Sequence, residues 1–145
     1  MVGIVLISHG KMCKGMIDSA SMFFGNLEQV ESVCFEMYED VKIFQDKIKD
    51  AIKSVDSGKG VYVLTDMFGG TPTNRVISLA NNDVRVITGM NLPMFVELLG
   101  ARLSSSNIDI DQIIKTGQSG IINVNKILAN EDLDNPDFWK IFLIC

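Results

Sequence analysis

Apolar residues along this chain follow two alternating rhythms. Unbroken runs with β-branched members occur at Val2–Ile7, Val30–Phe35, Gly60–Thr65 and Val84–Thr88. Runs of this kind predict strands buried on both faces. Between them, apolar positions recur at three and four, the helical period. Gly15–Gly25 carries Met16, Ile17, Ala20, Phe23 and Phe24 on one face and stops at Gly25. Asp40 stands where it can cap a helix whose apolar members are Val41, Phe44, Ile48, Ala51, Ile52 and Val55. Thr71 followed by Pro72 predicts an N-cap with proline at the first helical position, in a helix running to about Asn81. Gly89–Pro93 reads as a loop, and Met94–Leu103 and Ile108–Thr116 as two more helices. The weak alternation of Gly120–Ile127 predicts a short fifth strand at a sheet edge.

Strands that lack in-out alternation and are separated by helices imply right-handed βαβ crossovers. The fold class expected is α/β: an open, mostly parallel four-stranded sheet in the order 2-1-3-4, with helices on both faces and a fifth edge strand. One domain over residues 1–128 accounts for this pattern, and 129–145 forms a tail. Within the tail Asn130–Asp137 is acidic and Phe138–Cys145 very apolar. Such a composition is expected to dock on the domain or on a second subunit, and nothing in the pattern decides between them.

The chain of 145 residues has a net charge of −5 and no basic run, which argues against general binding to nucleic acid or anionic membrane. Its apolar stretches are all too short to span a bilayer. Met1–Ile7 lacks a basic flank and runs directly into Ser8-His9-Gly10, so no signal peptide is expected. Cys13, Cys34 and Cys145 form no CxxC pair, which fits reduced thiols in a cytoplasmic setting. With a single histidine in the chain, no metal site is expected.

In an open parallel sheet, ligands bind beyond the carboxyl ends of strands where neighbouring connections leave on opposite faces. Ser8–Lys14, Asp66–Thr71 and Gly89–Pro93 all arrive at that edge. The order 2-1-3-4 sets His9 and Asp66 across one crevice. A carboxylate that accepts the proton of one ring nitrogen fixes the tautomer and frees the other nitrogen as a nucleophile. Phe68-Gly69-Gly70-Thr71-Pro72 leads into a helix, so free N–H groups face the site and glycine lets the backbone approach an anion. Thr71 adds a hydroxyl donor. Asp66 has the alternative reading of a turn cap, and Cys13, without a histidine to activate it, reads as packing. The pattern thus reaches a phosphate-handling α/β domain with His9 as its candidate histidine, and a phosphotransfer site of this kind is expected to need no cofactor of its own.

Three motifs bring a resemblance into view. A hydrophobic strand ends in SHGKMCKG (Ser8–Gly15) and continues through Asp18-Ser19-Ala20 to Gly25; GVYVLTDMFGGTPTN fills Gly60–Asn74; GMNLPMFVELL fills Gly89–Leu99. In this order and spacing, from about Val2 to Ile127, they resemble the enzyme IIA component of the mannose/fructose/sorbose class of the bacterial phosphoenolpyruvate-dependent sugar phosphotransferase system. The resemblance implies that His9 accepts a phosphoryl group from the phosphocarrier protein HPr and passes it to a histidine of a IIB partner. It implies that Asp66 orients His9, and that Gly10, Phe68, Gly69, Gly70 and Thr71 surround the phosphoryl group. It also implies a homodimer that exchanges a C-terminal strand, placed here at Gly120–Ile127, and an indirect link to the membrane components IIC and IID. No IIB domain follows in the chain, so the acceptor is expected on a separate polypeptide.

Phe68 stands where tryptophan is frequent in this family, and Met67 where a small polar residue is often found, which bears on carrier specificity. Met12, Met67, Phe68 and Met90 all fall in loops expected to ring His9, and together they read as an adaptable apolar collar for transient partners. Three other readings compete. The phosphotransfer subunit of the dihydroxyacetone kinase system shares the histidine but typically follows it with serine, where Gly10 stands here. The others are a regulatory sensor domain and a flavodoxin-like module in which His9 merely contacts a small ligand.

Overall fold

The structure is a computed structural model and describes residues 1–104 and 107–129. Four parallel strands, β1 (Gly3–His9), β2 (Val30–Phe35), β3 (Val61–Thr65) and β4 (Val84–Thr88), form one sheet in the order β2-β1-β3-β4. The two central strands are solvent-free along nearly their whole length, as their unbroken apolar runs require.

Side chains alternate along each strand, so the sheet feeds two separate cores. Ile4, Leu6, Tyr62 and Leu64 point to one face and meet helices α1 (Met12–Phe24), α4 (Leu92–Ser104) and α5 (Ile110–Ser119). Val5, Ile7, Val61 and Val63 point to the other and meet α2 (Val41–Val55) and α3 (Thr71–Ile77). The helix after β1 and the helix after β3 therefore leave on opposite faces. The gap between these neighbouring strands is the topological switch point.

Local chemistry fixes most helix ends. Asp40 caps α2 as expected, its carboxylate accepting the Lys42 and Ile43 N–H groups. Gly25 ends α1 with φ +69°. Other boundaries shift from the expected ones. The chain turns at Gly10 (φ +53°), so α1 begins at Met12 rather than Gly15. Gly70 holds the cap position of α3, making Thr71 its first residue, and the helix ends at Ile77 instead of Asn81. Asn81 folds back, its side-chain oxygen accepting the N–H groups of Asp83 and Val84, which starts the turn into β4. Asn91 caps α4 by accepting the Met94 N–H, which draws Leu92 and Pro93 into the helix. Asp109 caps α5 and moves its start to Ile110.

The expected fifth strand is a correction. Residues 121–123 join no ladder, and Val124–Leu128 form a short helix, α6. Asn123 decides it: its side chain accepts the Lys126 N–H and starts a helical turn where the apolar alternation alone suggested extension. The apolar tail segment Phe138–Cys145 lies outside the described residues.

Candidate functional site

His9 is the last residue of β1, and Asp66 follows the last residue of β3. The two strands are paired in register, Ile7 opposite Thr65, so the two side chains emerge from adjacent strand ends at the switch point. They meet there. One carboxylate oxygen of Asp66, Oδ2, lies 2.7 Å from His9 Nδ1 and accepts the His9 backbone N–H at 2.8 Å. The other oxygen accepts the N–H of Met67 at 2.8 Å. An ionised carboxylate only accepts, so the proton of the neutral imidazole sits on Nδ1 and the lone pair on Nε2. The aspartate is nearly covered, with 11% of its side chain exposed, whereas 45% of the histidine side chain faces solvent. A nucleophilic nitrogen is thus held on a rigid strand end and left open.

The surrounding loops hold this arrangement from both sides. Gly10 donates its N–H to the Phe35 carbonyl at 2.9 Å, and the Phe35 ring meets the imidazole edge-on with centroids 6.1 Å apart. Gly10, expected beside the phosphoryl group, therefore serves as a turn, its N–H already committed. Ser8, buried beneath the loop, accepts the Cys13 N–H and ties α1 to β1. On the other side the Met67–Gly70 turn closes against the ring. A Cβ at Gly70 would come within 2.8 Å of His9 Cε1 and 3.6 Å of Nε2, so only glycine admits this contact. Gly69 supplies the left-handed bend beside it, with φ +79°. Thr71, with Pro72 behind it, starts α3 at the end of the same turn.

The collar divides. Met12, Met67 and Phe68 are exposed on the rim at 45%, 56% and 77%. Met90 is not among them. Its N–H is held by the Thr65 carbonyl, and its side chain is buried in the core beside α4. Cys13 is packing, as expected: it is fully buried, with its sulfur 3.4 Å from that of Cys34. Burial, reinforced by the neighbouring Cys13 thiol, pushes the Cys34 thiol up to about 11, so it stays protonated and unreactive at neutral pH.

Some contributors escaped the pattern. Phe35 is one, since a strand-end aromatic carries no sign of the ring opposite it. Thr65 and Thr73 are others, reading in sequence only as members of a strand and a helix, while Asn74 entered only as the end of the GVYVLTDMFGGTPTN motif, with no role attached. Among the described residues no three His, Cys, Asp or Glu side chains converge on a metal position, and no helix is long and apolar enough to cross a membrane.

Residues 3–115 match the family model of the PTS system fructose IIA component. The chain belongs to this family. The matched span takes in both strand ends and both loops of the site. This IIA chain is 32% identical over 104 residues to the PTS system fructose-specific EIIA component of Bacillus subtilis, covering 70% of this chain and 71% of that one. It is 31% identical over 124 residues to the PTS system mannose-specific EIIAB component of Escherichia coli. That match covers 83% of this chain but only 38% of the relative. Its fold follows the crystal structure of the PTS IIA protein associated with the fucose utilization operon from Streptococcus pneumoniae. There the TM-score is 0.80 at 31% identity, over 88% of this chain and 99% of that one. The IIA chain is thus a component of a sugar phosphotransferase system, and its sheet has the order that the strand and helix pattern implies.

Proposed function

We propose that this IIA chain carries a phosphoryl group on Nε2 of His9, taking it from phospho-HPr and giving it to a histidine of a separate IIB subunit. The observation that carries this reading is the 2.7 Å contact between His9 Nδ1 and Asp66, which leaves Nε2 as the open, nucleophilic nitrogen. In the transfer, the phosphorus–nitrogen bond to the donor breaks as the bond to Nε2 forms in line with it. The leaving imidazole departs as the neutral base, while Nδ1 of His9 keeps its proton. The positive charge that develops on the ring is met by Asp66, which favours phosphorylation without a metal ion.

The exposed rim supports protein partners. Met12, Met67 and Phe68 give an apolar, deformable border around a polar centre, suited to surfaces that bind, transfer and leave. His9 stands on an open edge and does not line the apolar cleft of about 750 Å³ bordered by Phe23, Leu92, Pro93 and Val96. That placement favours a macromolecular donor over a small ligand enclosed in a pocket.

Incubation of the full chain with phosphoenolpyruvate, enzyme I and HPr is expected to add one acid-labile phosphate per chain, and His9→Ala to remove it completely. A wild-type chain that stays unlabelled while HPr is phosphorylated, or a His9→Ala chain that labels normally, overturns the reading.

A further inference from the structure

Beneath the Met67–Gly70 turn lies a chain of hydroxyl groups with one possible hydrogen order. Thr73 Oγ1 is 2.6 Å from the Met67 carbonyl oxygen, which can only accept. Its single proton is therefore committed, and the 2.8 Å contact between Thr73 Oγ1 and Thr65 Oγ1 must be donated by Thr65. Both threonines are buried, Thr65 completely, so no water competes with the relay. A second donor works beside it, Asn74 Nδ2 reaching the Gly69 carbonyl at 3.1 Å.

These bonds turn the carbonyls of Met67 and Gly69 down toward α3. In a trans peptide the carbonyl and the following N–H point in opposite directions. Holding those two carbonyls inward therefore holds the N–H groups of Phe68 and Gly70 outward, on the side away from α3. Gly70 is also the residue whose backbone packs on His9 Cε1.

We propose that Thr65, Thr73 and Asn74 are positioning residues: a clamp that fixes the peptide planes of the Met67–Gly70 turn so that the Phe68 and Gly70 N–H groups face the phosphoryl group during transfer. The proposal rests on the phosphocarrier reading of His9 and names what orients the donors beside it. None of the three touches the reacting atoms. Thr65 acts only through Thr73, and Thr73 only through the Met67 carbonyl. Donors fixed before the reaction stabilise developing charge without reorganising, so a loosened turn slows transfer more than it weakens partner binding at the Met67 and Phe68 rim.

The test separates positioning from stability. Thr73→Val keeps the side-chain shape but frees the Met67 carbonyl and leaves the Thr65 hydroxyl buried without a partner. Adding Thr65→Val removes that orphan, so the double variant recovers stability in denaturant unfolding while the Met67 carbonyl stays released. Single-turnover phosphorylation by phospho-HPr is expected to fall about tenfold or more in Thr73→Val and in the double variant. The HPr concentration for half-maximal rate is expected to change by less than the rate itself, and Thr73→Ser to restore the rate. In the phosphorylated wild type the Phe68 amide proton is expected to move downfield, with a smaller shift in Thr73→Val. A wild-type rate in Thr73→Val, recovery of rate along with stability in the double variant, or a loss confined to half-saturation overturns the clamp. An unlabelled wild type overturns the phosphocarrier reading itself, and the two failures are distinct.

Discussion

The two ends of the sheet are built from the same parallel strands and use their polar groups in opposite ways. At the amino end, loops are sealed against each other. Arg102, mostly buried, donates to the carbonyls of Val2 and Glu28, and burial lowers its guanidinium pKa from the ordinary value. Gln29 donates to the Val55 carbonyl at 3.1 Å, and Gly3 lies so close to Val55 that a Cβ would meet its carbonyl oxygen at 2.6 Å. At the carboxyl end the side chains brace backbone just as firmly, yet they leave an imidazole nitrogen facing outward. Rigidity at one end closes the fold, while at the other it keeps a reactive atom open. The difference lies in exposure: the one unpaired nitrogen of Arg102 is buried, whereas the free nitrogen of His9 stands on a side chain that is 45% exposed.

Substitutions at the two ends can break or sharpen this contrast. The largest effect is expected for Asp66→Asn. An amide can present N–H groups to Nδ1 and favour the wrong tautomer, and it no longer balances the imidazolium charge. Phosphorylation by phospho-HPr should slow by about a hundredfold or more, as judged by loss of an orienting carboxylate elsewhere. A change of only a few fold would remove Asp66 from the mechanism.

Gly70→Ala and Gly3→Ala form a matched pair, since each puts a methyl into a contact shorter than 3.0 Å. At Gly70 the methyl meets the imidazole, so transfer should drop about tenfold with little shift in unfolding midpoint. At Gly3 it meets the Val55 backbone, costing about 1–3 kcal/mol of stability in urea titration while the folded fraction transfers phosphate normally. Reversal of either outcome would dissolve the distinction between the two ends.

The smallest effect concerns Glu39, in the turn after β2. A hydrogen bond from Lys47, and then one from the Glu36 N–H, hold its carboxyl below the ordinary value of 4.5. A depressed folded-state pKa adds stability above the unfolded value, and that contribution disappears as pH falls through the folded one. Glu39→Gln should therefore lower the melting temperature by about 1–2 °C at pH 7 and converge on wild type in acid. An unchanged difference at low pH would show that the charge plays no part.

Much of the carboxyl end was legible in the linear pattern because it follows from connectivity. Unbroken apolar runs gave the strands, the helix spacing gave the crossovers, and the switch point then placed His9 against Asp66. What stayed hidden depends on a single side chain overriding a rhythm. Asn123 converts an alternating segment into a helical turn, and the Met90 N–H bond to Thr65 draws a loop methionine into the core. The Thr65–Thr73 pair was hidden differently. Each residue fits its own element so well that only the folded sheet shows their hydroxyl groups meeting.

One consequence of the imidazole's setting concerns traffic. Its Nδ1 side is taken by Asp66 and its Cε1 edge is walled by Gly70, so visitors have a single doorway. On the phosphocarrier reading proposed above, donor and acceptor share that doorway, and a crowd of idle acceptor molecules is expected to hold up the incoming donor.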